Sequence, residues 1–170
     1  MWLNSFDGAQ QTGGTGVVLL ILLLGFGTTL KASAAGERIF AANCAVCHQG
    51  DGRGVAGLYP PVTESIGSYV ALPQGRAYLV RVVSFGLMGP ISAHGQSYDG
   101  FMQPWTRLSD EEIAQVLNYV LTNFNRDLLP KDFAPISGAE AKELRAGHLT
   151  FEQVHADRET LMKALSSKSN

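Results

Sequence analysis

Cys44-Ala45-Val46-Cys47-His48 holds the only two cysteines of this 170-residue chain, and the rest of the sequence is read outward from it. Two intervening residues set the thiols at the separation of the two vinyl groups of one haem, which they can take up as thioethers. A histidine directly after the second cysteine is then carried under the ring, where its imidazole can bind the iron. The spacing predicts one covalent haem c on Cys44 and Cys47, with His48 as an axial ligand.

Other uses of C-x-x-C need other surroundings. A thioredoxin-like redox pair opens a helix after a buried strand. Here Gly36-Glu37-Arg38-Ile39-Phe40-Ala41-Ala42-Asn43 leads in and reads as helix. A tetrahedral zinc site needs a further pair of ligands, and His94, His148 and His155 are scattered. A disulfide across the short loop is the plain alternative.

Upstream lies a different material. Val17 to Leu30 is a 14-residue apolar run without charge, followed by Lys31 and Ala32-Ser33-Ala34-Ala35. That is the length of a signal-peptide core and short of the roughly 20 residues of a membrane span. Residues 1–34 therefore read as a secretory signal cleaved after Ala34. The alternative is a retained N-terminal anchor, because Met1–Gly16 has no Lys or Arg and the uncharged stretch from Gly13 reaches 18 residues. Either reading exports the haem region to the periplasm.

The haem region, residues 35–127, has no lysine. Between Gly36 and Asp127 six arginines face eight carboxylates, a net charge of −2. Such a surface offers no basic patch for nucleic acid and no lysine collar to steer an acidic partner.

Residues 49–61 (QGDGRGVAGLYPP) read as loop. Glu64–Val70 is a short helical turn, and Gly75–Leu87 a helix ended at Gly86. Ile91–Gly100 reads as a two-stranded hairpin turning at His94-Gly95, where His94 tolerates a positive φ. His94 as a second axial ligand is the competing reading. Ser109-Asp110-Glu111-Glu112 is a capping box opening a helix to about Phe124, with Ile113, Val116, Leu117, Val120 and Leu121 along one stripe. Beyond Pro130 and Pro135, residues 128–170 form a helical extension. Ser137-x-x-Glu140 opens one helix, to Ala146, and Thr150-x-x-Gln153 another with Phe151, Val154, Leu161 and Leu165 apolar.

A thioether opposite His48 would favour ferrous iron. Met102, in the irregular stretch Gly100-Phe101-Met102-Gln103-Pro104-Trp105, is the leading candidate. Met88, after a helix end, is the fallback, and Met162 in the last helix reads as packing.

From Gly36 to about Asp127 the sequence resembles the class I c-type cytochromes. The resemblance rests on Gly36 and Phe40 ahead of CAVCH, Pro60-Pro61-Val62, Met102 before Pro104-Trp105, and the LSDEEIAQVLNYV helix. It implies an all-α fold, here with a small hairpin and the helical extension added, whose first and last core helices cross near Gly36, Phe40 and Tyr119. It also implies that Pro60, or alternatively Pro61, offers its carbonyl to the second ring nitrogen of His48. Gln103 stands where the family usually has a proline after the methionine. The hairpin region resembles a subset found with periplasmic dehydrogenases and terminal oxidoreductase complexes.

With His48 and Met102 both bound, the iron has no position left for substrate, so the expected role is electron transfer rather than enzymatic catalysis. Expected partners are redox proteins: dehydrogenase, oxidase or other respiratory-complex subunits, with residues 1–34 as a route to membrane association and no nucleic acid. The reading from a different class is a five-coordinate haem protein for gas binding or peroxidase chemistry. Arg76, Arg81, Arg107 and Trp105 are the candidates to meet the haem propionates, against a solvated surface role for each. The extension is expected to fold back on the core, with partner docking as its alternative role.

Overall fold

The computed structural model describes residues 34–168. The signal or anchor expected over residues 1–34 thus lies, apart from Ala34, outside the described residues. Helix α1 (34–43) delivers the chain to Cys44, and α2 (Ala45–His48) is a single turn carrying the rest of the motif. The two are nearly continuous, since the Cys44 N–H still donates to the Phe40 carbonyl at 2.8 Å.

The loop beyond His48 turns where glycine permits. Gly54 has φ +66°, and a Cβ there would collide with the backbone of Tyr59 and Pro60. A 3-10 helix (Ile66–Ala71) leads to α3 (Pro73–Phe85), which opens with proline in its first turn and ends at Gly86, φ +78°.

Strands β1 (Leu87–Ala93) and β2 (Gln96–Met102) pair antiparallel, Leu87 opposite Met102 and Ala93 opposite Gln96. His94 and Gly95, at φ +50° and +74°, make the two-residue turn. The hairpin is as expected in kind but longer. It takes in Met88, expected just after a helix end, and Met102, expected in irregular chain. Helix α4 (Asp110–Phe124) has the expected capping box. The Glu112 N–H donates to Ser109 Oγ at 3.3 Å, and the Ser109 N–H to the Glu112 carboxylate at 2.8 Å.

Helix α1 meets α4 as the resemblance implied. A Cβ on Gly36 would run into the Gln115 carbonyl, and the Phe40 ring packs 5.6 Å from Tyr119 and 5.3 Å from Phe124. At the end of α4 the buried Asn125 ties the loop down. Its side chain accepts from the N–H groups of Ser65 and Gly67 and donates to the carbonyls of Val62 and Val120.

The extension folds back on this core. Helix α5 (Gly138–Leu144) packs on α4, and α6 (Phe151–Lys168) on α3 and β1. Ile136, Ala141, Val154 and Leu161 are buried in the main apolar cluster. Arg76 grips Glu140 bidentately at 2.6 and 2.7 Å, Arg81 meets Asp157 at 2.8 Å, and Arg145 reaches Asp110 at 3.2 Å. Helix α5 stops at Leu144, short of the expected Ala146, and among the described residues no helix is long and apolar enough to cross a membrane.

Candidate functional site

A cavity of about 390 Å³ opens between α2, the loop after it, α3, the hairpin and α4. That is within the range of small-molecule and cofactor sites. Its walls are mostly apolar, from Phe40, Leu79, Val82, Leu87, Trp105 and Leu117 among others. Cys44, Cys47, His48 and Met102 all line it.

Both thiols are free, so the disulfide reading is set aside. Burial, with Cys47 adjacent, pushes the Cys44 thiol up to about 11. A tetrahedral zinc site would need two further ligands beside these thiols. Among the described residues no three His, Cys, Asp or Glu side chains gather as a metal cluster, which also counts against zinc. The helix leading into Cys44, in place of a strand, removes the thioredoxin-like reading.

His48 is oriented by the loop. Its Nδ1 lies 2.9 Å from the Pro60 carbonyl, and only an N–H can donate to a carbonyl, so Nδ1 carries the proton. Burial lowers the pKa of the ring, with the Pro60 bond opposing it. The result is a neutral imidazole whose Nε2 lone pair is available, with the hydrogen bond that orients a ligating histidine. Pro60 supplies that carbonyl, although Pro61 also lines the cavity.

The three methionines separate cleanly. Met102 ends β2 and lines the cavity. A strand delivers it, where the sequence alone suggests a loop, because the hairpin pairing runs through to Leu87. Met88 lies one residue from Leu87, and strand alternation turns it away from the cavity; it is 48 % exposed. Met162 sits on α6 with its sulfur 3.9 Å from the Tyr69 hydroxyl, outside the cavity lining. His94 is exposed in its turn and does not line the cavity, so its ligand reading is withdrawn.

The propionate candidates also divide. Arg76 and Arg81 are taken up by Glu140 and Asp157 of the extension, which corrects their reading as candidates. Arg107 donates to Asn43 Oδ1 at 2.6 Å and lies 4.6 Å over the Trp105 ring, both residues of the cavity wall. The residue that sequence reasoning misses is Arg158, a buried guanidinium on α6 that lines the cavity. A signal was present: Arg158 falls on the Val154–Leu161–Leu165 stripe, where helical spacing puts it on the buried face.

Two thiols, a neutral imidazole, a thioether and apolar walls fit a haem. The comparisons agree. The family model for cytochrome c matches residues 33–124. The chain is 42 % identical over 144 residues to cytochrome c-552 of Thermus thermophilus, spanning 85 % of this chain and 95 % of that protein. It is 34 % identical over 86 residues to the cytochrome c subunit of the quinone alcohol dehydrogenase of Gluconobacter oxydans, 51 % of this chain but 17 % of that subunit. Against the fructose dehydrogenase cytochrome subunit of Gluconobacter japonicus it is 29 % identical over 126 residues, 71 % of this chain and 24 % of that subunit. The cofactor of that family is covalently attached haem c, and Cys44 and Cys47 stand at the spacing that attaches it.

Proposed function

The chain belongs to the cytochrome c family, whose members transfer electrons and are not enzymes, and from that premise we propose that it is an exported one-electron carrier with haem iron held by His48 and Met102. When bound, the haem supplies a ferric–ferrous couple. Cys44 and Cys47 tether it. The Pro60 carbonyl holds the His48 ring in the tautomer that leaves Nε2 for the iron, and Met102 offers a sulfur from the hairpin side. Apolar walls exclude water, which favours the lower-charged ferrous state.

The observation that carries this reading is the 2.9 Å contact from His48 Nδ1 to the Pro60 carbonyl, in a cavity that Met102 also lines. Two protein ligands leave no open site, so chemistry on a bound substrate is excluded by the same arrangement. The partners on this reading are redox proteins, a dehydrogenase, an oxidase or another respiratory-complex subunit. Matches to dehydrogenase cytochrome subunits support that class. The periplasm is the compartment, on the strength of the apolar run that leads into the haem region.

A visible spectrum of the oxidised protein tests the ligand pair. The long-wavelength charge-transfer band of methionine-ligated ferric haem should disappear in Met102→Ala and persist in Met88→Ala. A band that survives in Met102→Ala would overturn the assignment. A wild-type protein that binds carbon monoxide readily would instead favour a five-coordinate haem.

A further inference from the structure

Arg158 stands on α6, beyond the residues that the family model matches. It is 5 % exposed and shares the cavity with Cys44, His48 and Met102. Among the described residues lining that cavity it bears the one permanent charge, with no Asp, Glu or Lys beside it. Its printed acceptor is neutral, the Ser92 carbonyl, and the polar side chains nearest it in the cavity wall are the uncharged phenols of Tyr69 and Tyr78. The neighbouring cations are already matched, Arg81 by Asp157 and Arg76 by Glu140. A buried guanidinium that meets only neutral dipoles is costly unless an anion joins it. Since no described residue supplies one, the occupant of the cavity is the remaining source, and a haem carries two carboxylates.

We propose that Arg158, flanked by the hydroxyls of Tyr69 and Tyr78, is the seat of one haem propionate, so that the C-terminal extension is part of the haem site. A guanidinium presents a planar fork of donors that fits a carboxylate, and a phenol can donate to the same oxygens. Burial raises the pKa of both phenols, so they keep their protons through the neutral range. The pairing keeps this propionate ionised although it is buried. Replacing the cation by a neutral side chain leaves an unpaired buried carboxylate, whose pKa rises by about 1–3 units.

The groups that face Arg158 are Tyr69 from the 3-10 helix, Tyr78 from α3 and the Ser92 carbonyl from β1. On its own helix, His155 bonds to the Pro90 carbonyl and Asp157 to Arg81. His155 is the nearby titratable imidazole, so the measurements are made in parallel on His155→Gln.

The inference rests on haem in this cavity, not on Met102 as ligand; Arg158→Gln is expected to keep the charge-transfer band, so the two readings fail separately. The test is carbon-13 NMR of ferrous holoprotein carrying haem labelled at the propionate carboxyls, followed from about pH 5 to about pH 8. In the wild type one carboxyl signal should stay flat across that window. In Arg158→Gln the same signal should titrate within it, and the midpoint potential should acquire a fall with rising pH over the same range. Two titrating signals in the wild type would overturn the proposal, and so would an Arg158→Gln profile that superimposes on the wild type. The wild-type measurement decides even if the variant does not accumulate.

Discussion

At Gly36, α1 approaches α4 so closely that a Cβ would collide with the Gln115 carbonyl and stand 2.8 Å from the Tyr119 Cβ. Alanine inside a helix ordinarily gains about 0.5–1 kcal/mol over glycine, but overpacking costs about 1–3 kcal/mol. Gly36→Ala should therefore lower the stability of the haem-loaded protein, read as an earlier midpoint in urea; an unchanged or later midpoint would mean that the crossing has slack. Glu140 shows the same kind of accountability in its charge. The hydrogen bonds from Arg76 hold its carboxyl below the ordinary value of 4.5. Its contribution is therefore present above that value and lost as pH falls through the lower folded one. In Glu140→Gln the loss of stability on acidification should be shallower, by about 1 kcal/mol for a partly buried pair. An acid limb identical to wild type in urea titrations at several pH values would count against it. Residues whose partners are adjacent in sequence were legible: the haem motif and the Ser109–Glu112 cap needed only spacing. Asn125 was not, because its bonds close on Ser65 and Gly67, some sixty residues upstream.

Elements were legible where local chemistry agrees with packing. The His94-Gly95 turn follows from two adjacent positive φ values, and the stripe on α4 from its period. Met102 was singled out by its chemistry, but its place at the end of a strand was not foreseen. Gly100 and the nearby Pro104 read as irregular chain, and only pairing with Leu87 extends the strand that far. Arg158 shows the converse: its apolar neighbours at helical spacing marked a buried face, while its charge argued for solvent. Helix α6 takes its stability from docking more than from its own turns, since isolated helices of this length are marginal in water. Leu161, fully buried, is the point of attachment. Leu161→Ala should cost about 2–5 kcal/mol, measured as lost unfolding free energy of the holoprotein. A cost under about 0.5 kcal/mol would show the extension to be an independent appendage rather than part of the core.

Over the whole haem region, charge and exposure together set how a partner can approach. The stretch from Gly36 to Asp127 carries six arginines, eight carboxylates and no lysine. Five of those arginines have partners, Arg53 in Asp51, Arg76 in Glu140, Arg81 in Asp157, Arg107 in Asn43 and Arg126 in the Thr122 carbonyl. What the cavity shows to solvent is apolar: Val46 at 77 %, Leu58 at 57 % and Phe101 at 58 % exposure all line it. Docking on such an edge gains from dehydrating apolar surface, which salt does not screen, whereas steering by opposed charges decays within a Debye length. Bimolecular electron transfer to a physiological partner should therefore change less than about threefold between about 10 mM and about 500 mM salt, measured by stopped flow. Phe101→Ser should slow it at every ionic strength without moving the midpoint potential, because it removes contact area and leaves the iron's ligands alone. A rate that falls tenfold or more with salt would overturn apolar docking and point to charges held by the partner or by residues 1–33.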